Sequence, residues 1–142
     1  MIVPDVNLLV HAYNQDSPQH PKARAWFERL MSGTDHVGLA WAAILGFIRI
    51  TTNRHVSTNP MPVILACDHV RSWLAQPHVS LIHPGDRHAE ILFGFFATLG
   101  SAGNLTTDAH LAALTVEHQS ELCSTDSDFA RFPGLRWTNP LK

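Results

Sequence analysis

The sequence predicts an α/β fold in which a short, mostly parallel β-sheet is covered by helices. Short apolar runs typical of buried strands alternate along the chain with longer segments whose apolar residues recur at helical spacing. Such alternation favours a parallel sheet with helices packed on its faces. The length of 142 residues and the apolar fraction of 45% suit one domain with a core of its own. We therefore expect a single domain over residues 1–142.

The first half of the chain contains two strand signals and three helix signals. Residues 2–4 are apolar and end at Asp5, which predicts a short buried strand. Residues 37–39 are either a second strand or only the lead into the helix that follows. The helical segments are Asn7 to Tyr13, His20 to Met31 with Gly33 ending it, and Trp41 to Ile50.

The second half repeats the alternation after a proline-containing loop over residues 53–62. The predicted strands are Val79 to Ile82, Glu121 to Ser124 and Leu135 to Thr138. The predicted helices are Val63 to Leu74, Ile91 to Leu99 and Asp108 to His118. Thr106 and Thr107 are predicted to cap the last of these helices.

Several aspartates follow predicted strands or open a helix. Asp5 follows the first strand, Asp126 and Asp128 follow a late one, and Asp108 begins a helix. Because ligands of parallel α/β sheets bind at the carboxyl ends of the strands, we expect these carboxylates to reach one end of the sheet. Each also has a purely structural interpretation. Asp5 and Asp108 suit helix N-termini, and the other two suit turns.

Carboxylates that converge beside an apolar core repel one another, and burial disfavours their charged form. A divalent cation removes this conflict, and oxygen-only ligation completed by waters is what Mg²⁺ or Mn²⁺ prefers. Such an ion activates water and stabilises the oxyanions of a phosphodiester displacement. The net charge of −2 means that nucleic acid, if bound, must be held by a local feature of this kind.

Three motifs occur in order along the chain: IVPDVNLLVHA at residues 2–12, NLTTDAHLAAL at 104–114 and STDSDFARFPGLRWTNPL at 124–141. Together they resemble PIN-domain ribonucleases, and among these the VapC toxins of bacterial type II toxin–antitoxin pairs. The resemblance implies a three-layer α/β/α PIN-like fold and an endoribonuclease that uses Mg²⁺, with Mn²⁺ as a substitute. It further implies a tRNA, rRNA or mRNA substrate, inhibition of growth, a cognate VapB-type antitoxin and a homodimer.

The resemblance also assigns roles to individual residues. The family's metal ligands, which are also its catalytic residues, are acids matched here by Asp5, Asp108 and Asp126, with Asp128 as a further catalytic acid. Small polar positions that orient carboxylates or waters are matched by Asn7 and Thr125.

One position departs from the family pattern. Many family members carry a glutamate in the central helix, where this chain has Gly46. We therefore expect weaker or single-metal binding. Arg49 in the same helix has three open interpretations: an ion pair with a carboxylate at the site, a contact to RNA phosphate, or simple capping of the helix. The glutamates of the chain are Glu28, Glu90, Glu117 and Glu121, and none is near that position.

Two other function classes stay open from the sequence. A phospho-acceptor receiver also has aspartates at strand ends, but receivers pair two acids at the first strand and carry a late lysine. Here Asp5 stands alone, and the lysines are Lys22 and Lys142. A PIN-fold module that binds RNA or antitoxin without cleavage is the nearer alternative, because the glutamate is missing.

The composition adds two expectations. The charged fraction of 15% is low, which fits a surface partly covered by a partner. No apolar run reaches about 18 residues, and the N-terminus has no basic leader, so we expect a cytoplasmic protein without a membrane span.

Overall fold

The computed structural model describes every residue from Met1 to Lys142. The strands are β1 (Ile2–Pro4), β2 (Val37–Ala40), β3 (Val79–Ile82), β4 (Glu121–Cys123) and β5 (Arg136–Thr138). The helices are α1 (Val6–Tyr13), α2 (His20–Ser32), α3 (Trp41–Thr52), α4 (Val63–Leu74), α5 (His88–Leu99) and α6 (Thr106–Glu117). Short 3₁₀ turns cover Gly103–Leu105 and Ser127–Arg131.

The strands form one sheet in the order β3-β2-β1-β4-β5, and every neighbouring pair is parallel. Neighbouring strand residues alternate between two apolar clusters. Cys123 packs with residues of α1 to α4, whereas Leu122 packs with residues of α5 and α6. Since successive side chains of a strand point to opposite faces, the two helix groups cover opposite faces of the sheet. The predicted three-layer α/β/α fold is confirmed.

Parallel pairing of the two central strands determines where the functional side chains lie. Pro4 of β1 aligns with Cys123 of β4, and the N–H of Asp5 donates to the carbonyl of Cys123 at 2.9 Å. The residues that follow the two strands are therefore neighbours at one edge of the sheet, although they are far apart in sequence. This edge is where the carboxyl ends of the strands meet.

The start of α6 differs from the prediction. Thr106 and Thr107 lie inside the helix and do not cap it, so the capping assignment is wrong. The reason is the 3₁₀ turn at Gly103–Leu105, which runs directly into the helix and supplies carbonyl partners to its first residues. The Thr106 hydroxyl donates to the Gly103 carbonyl at 2.7 Å instead of accepting from the helix.

Other boundaries move by a few residues. Residues 37–40 are a strand, which settles the alternative left open by the sequence. Helix α5 begins at His88, three residues before the predicted start, and the buried His88 ring belongs to its first turn. No helix combines the length and apolar character needed to cross a membrane.

Candidate active site

Asp5 links the start of α1 to the end of β4. Its Oδ1 accepts from the Val6 N–H at 2.7 Å, which caps α1, and its Oδ2 accepts from the Ser124 hydroxyl at 2.7 Å. Burial raises the pKa of this carboxyl; the two hydrogen bonds oppose the rise, and the negative charge of Asp126 adds to it. Asp5 therefore caps α1, as one interpretation of the sequence predicted, and it also lies near another acid of the predicted set, Asp126.

Ser124 is the hydrogen-bonding centre of the site, and sequence reasoning missed it. It is fully buried, donates to Asp5 and accepts from the Asn7 side-chain amide at 3.1 Å and from the Asp126 N–H at 3.0 Å. A hydroxyl has one donor and two acceptor positions, so its capacity is fully used. The sequence signal was the serine that ends the predicted strand two residues before Asp126.

Asn7 holds the segment that follows β4 from the side of α1. Besides its contact to Ser124, its Oδ1 accepts from the backbone N–H of Thr125 at 3.4 Å. Thr125 thus contributes to this network through its backbone. The amide of Asn7 fixes the relative positions of two segments that carry acids.

Asp126 and Asp128 lie on the 3₁₀ turn that follows β4. The Oδ1 of Asp126 accepts from the N–H of Asp128 at 2.9 Å, so Asp126 caps this turn. The turn-forming interpretation therefore holds for Asp126. Asp126 is half-buried and Asp128 is exposed.

Asp108 lies in the first turn of α6 and has the clearest electrostatic signature. Its pKa is raised to about 6, first by burial and then by the negative charges of Asp5, Asp126 and Asp128. Because such repulsion needs proximity, the other three aspartates lie near Asp108. Its side chain accepts no hydrogen bond that would favour the charged form.

A cleft of about 260 Å³ opens beside these acids. Its acidic lining is formed by Asp5 and Asp108, and α3 contributes another part of the lining through residues such as Gly46 and Arg49. Arg49 is exposed in the last turn of α3 and makes no ion pair in this structure. The phosphate and helix-capping interpretations of Arg49 stay open.

The donor chemistry of the site fits a divalent cation. The structure contains no group of three or more acidic, histidine or cysteine side chains already in metal-holding positions. Mg²⁺ does not require one, because it keeps several waters and is commonly held by one or two carboxylates. The available donors are all carboxylate oxygens. The pKa values of Asp5 and Asp108 are raised, which means that their charged forms are disfavoured, and a bound cation would stabilise those charged forms.

Comparison with known proteins decides the family. The PIN domain model matches residues 2–135. Ribonuclease VapC33 of Mycobacterium tuberculosis is 45% identical over 142 residues, covering 100% of this chain and 99% of that protein. The chain belongs to the VapC group of PIN-domain proteins. A second VapC relative, Ribonuclease VapC37 of the same species, is 42% identical over 140 residues, covering 99% of this chain and 97% of that protein.

Solved VapC structures have the same fold. VapC20 of Mycobacterium tuberculosis, described as a toxin that cleaves the sarcin–ricin loop, matches with a TM-score of 0.68 and 15% identity, covering 96% of this chain and 99% of that chain. A chain of VapBC2 from Rickettsia felis, solved with a promoter DNA fragment, matches with a TM-score of 0.70 and 14% identity, covering 98% of each chain. At such identities these matches establish the VapC fold alone.

Proposed function

We propose that this VapC-family chain is a metal-dependent endoribonuclease and the toxin of a type II toxin–antitoxin pair. It would hydrolyse phosphodiester bonds of tRNA, rRNA or mRNA and so inhibit translation and growth. The observation that carries the proposal is a cleft lined by Asp5 and Asp108, with the charges of Asp5, Asp126 and Asp128 near enough to raise the pKa of Asp108 further than burial alone. The names of relatives at 45% and 42% identity support the RNA substrate. All 142 residues would act as one nuclease domain.

Asp5, Asp108 and Asp126 are the residues that would hold Mg²⁺, with Mn²⁺ as a substitute. When bound, the ion supplies a Lewis acid for the phosphoryl oxygens and lowers the pKa of water. Ser124 keeps the carboxylate of Asp5 oriented by donating to one of its oxygens. Asn7 supports this arrangement through Ser124.

Three further residues have proposed roles near the cleft. Asp128 lies close enough to raise the pKa of Asp108 and would act as an accessory acid. Arg49 lines the cleft without an ion pair, so its guanidinium is free to bind an RNA phosphate. Thr125 holds the end of β4 against α1 through its backbone N–H.

Metal removal tests the proposed reaction. The purified protein is expected to cleave RNA with Mg²⁺, to lose cleavage in EDTA and to recover it when Mg²⁺ or Mn²⁺ is restored in excess. Sequencing of RNA 5′ ends from the same reactions identifies the substrate and the bond. Cleavage that persists in EDTA would contradict the metal-dependent mechanism. Binding of RNA without cleavage would favour the non-cleaving module, which Gly46 at the family's glutamate position keeps as the second candidate.

The proposal includes an antitoxin and a homodimer as partners. Structural neighbours include VapBC-1 of nontypeable Haemophilus influenzae, with a TM-score of 0.70, 15% identity and 100% of both chains covered. On this chain, large apolar side chains are exposed on three helices, namely Leu45 at 60%, Ile64 at 74% and Phe93 at 63%. Such exposure suits surfaces that a partner covers. A cytoplasmic location is proposed with these partners and the RNA substrate.

Co-expression tests the partners. The product of the gene immediately upstream is expected to co-purify with this chain and to suppress its cleavage of RNA. Light scattering of the isolated chain is expected to give twice the mass of 15.8 kDa. Failure of the upstream product to bind would remove the antitoxin from the proposal. A monomeric mass would remove the homodimer.

A further inference from the structure

Gly46 of α3 is in contact with Val6 of α1 at the wall of the acidic cleft. A Cβ added at Gly46 would lie 2.4 Å from Val6 Cγ2, 3.4 Å from Cγ1 and 3.5 Å from Cβ. The first distance is far shorter than carbon atoms tolerate, whereas the last is ordinary van der Waals contact. Both residues line the cleft, so the side chain of Val6 occupies the volume that any side chain at position 46 would need.

The α3 wall of the cleft contains no carboxylate. Its lining residues are Ala42, Ala43, Gly46 and Arg49. No glutamate lines the cleft, and three of the four in the chain are bound elsewhere. Glu28 pairs with Arg24, Glu117 accepts from the backbone N–H groups of Gly85 and Arg87, and Glu121 accepts from the Thr138 hydroxyl. The acids around the cleft therefore come only from the ends of β1 and β4 and from the start of α6.

This one-sided arrangement limits how many cations the cleft can hold. Two catalytic ions normally lie about 3.5–4 Å apart and share ligands that approach from both sides. Here the α3 part of the lining offers apolar atoms and the positive charge of Arg49, which repels a second cation. We propose that the cleft binds a single divalent cation per chain, because the contact between Val6 and Gly46 leaves no room on α3 for the carboxylate side chain that a second cation would need. The inference depends on the proposed metal site.

Counting bound Mn²⁺ tests the inference directly. Metal-free wild-type protein is titrated with Mn²⁺ near pH 7.5, by calorimetry and by electron paramagnetic resonance of the free ion. We expect one ion per chain. Two ions bound per chain would overturn the inference, whatever the RNA assay gives.

Paired substitutions test the role of the contact. In the variant carrying V6A and G46E together, both γ-carbons of Val6 are gone and only the 3.5 Å contact to Cβ is left, so the Cβ of the glutamate has room. This double variant is expected to bind two Mn²⁺ ions, whereas V6A alone binds one. If the folded double variant still binds one ion, the missing carboxylate at position 46 is not what limits the cleft to a single cation, and the inference is overturned.

A double-mutant cycle on the melting temperature tests the contact even if the glutamate variants fold poorly. G46A places a Cβ against Val6 Cγ2 and is expected to lower the melting temperature, and adding V6A is expected to recover part of that loss. A G46A variant as stable as the wild type would show that the contact gives way easily, which would overturn its proposed role. One Mn²⁺ bound without any RNA cleavage would leave this inference intact and contradict the proposed function instead.

Discussion

Replacing Asp5 with asparagine is expected to lower RNA cleavage by about 10³-fold or more. A bound cation contributes several kcal/mol of transition-state stabilisation, and each 1.36 kcal/mol is about tenfold in rate. Asparagine has nearly the same shape, and one of its atoms still accepts a hydrogen bond, so the cap of α1 can persist. The measurements are the cleavage rate of a labelled RNA and growth after induction.

The stability of the same variant separates chemistry from folding. Because burial raises the pKa of the Asp5 carboxyl, its charged form is disfavoured in the folded protein. In the metal-free Asp5→Asn variant the relief of this burial cost is opposed by the loss of the acceptor of the buried Ser124 hydroxyl, so the melting temperature should stay close to that of the wild type near pH 7. Asp35→Asn is the matched control, since Asp35 is exposed just before β2, at the opposite edge of the sheet. Undiminished growth arrest by the Asp5 variant would contradict the metal assignment.

The layer structure was predictable because it depends on local patterns. The short strands β1, β2 and β4 are largely buried and appear in the sequence as short apolar runs, and the helices between the strands have their own periodicity. The cap of α6 was not predictable in this way. A threonine pair before an aspartate has the same signature at a cap and in a first turn, and only the preceding 3₁₀ turn distinguishes them.

The acids of the site were predictable for a similar reason, since each follows a strand or opens a helix. The network that orients them was not. Ser124 meets Asp5 because β1 pairs with β4, and the order of strands in the sheet is a tertiary property. The contact between Val6 and Gly46 depends in the same way on how α1 packs against α3. The sequence therefore suggested which groups are candidates for the proposed chemistry, and the fold determined which side chains hydrogen-bond to them.

Cation affinity is expected to rise by about tenfold per pH unit below pH 6 and to level off above pH 7. The pKa of Asp108 is about 6, and a carboxyl must lose its proton before it binds an ion. Mn²⁺ titrations at pH 5, 6 and 7 measure this slope. In Asp108→Asn the affinity should be weaker, and its dependence on pH should be shallower.

The same pKa predicts the opposite trend for the stability of the metal-free protein. In the unfolded chain the carboxyl of Asp108 titrates near 3.8, so between about pH 4 and pH 6 the folded state binds more protons than the unfolded state. Raising the pH through this window therefore removes stability, and the raised pKa of Asp5 acts in the same direction. The melting temperature in EDTA should fall from pH 4 to pH 7 more steeply in the wild type than in Asp108→Asn. In a separate measurement at pH 7 without EDTA, saturating Mn²⁺ should raise the melting temperature of the wild type again. Equal slopes for the two proteins would mean that Asp108 does not experience the repulsion from which the metal site is inferred.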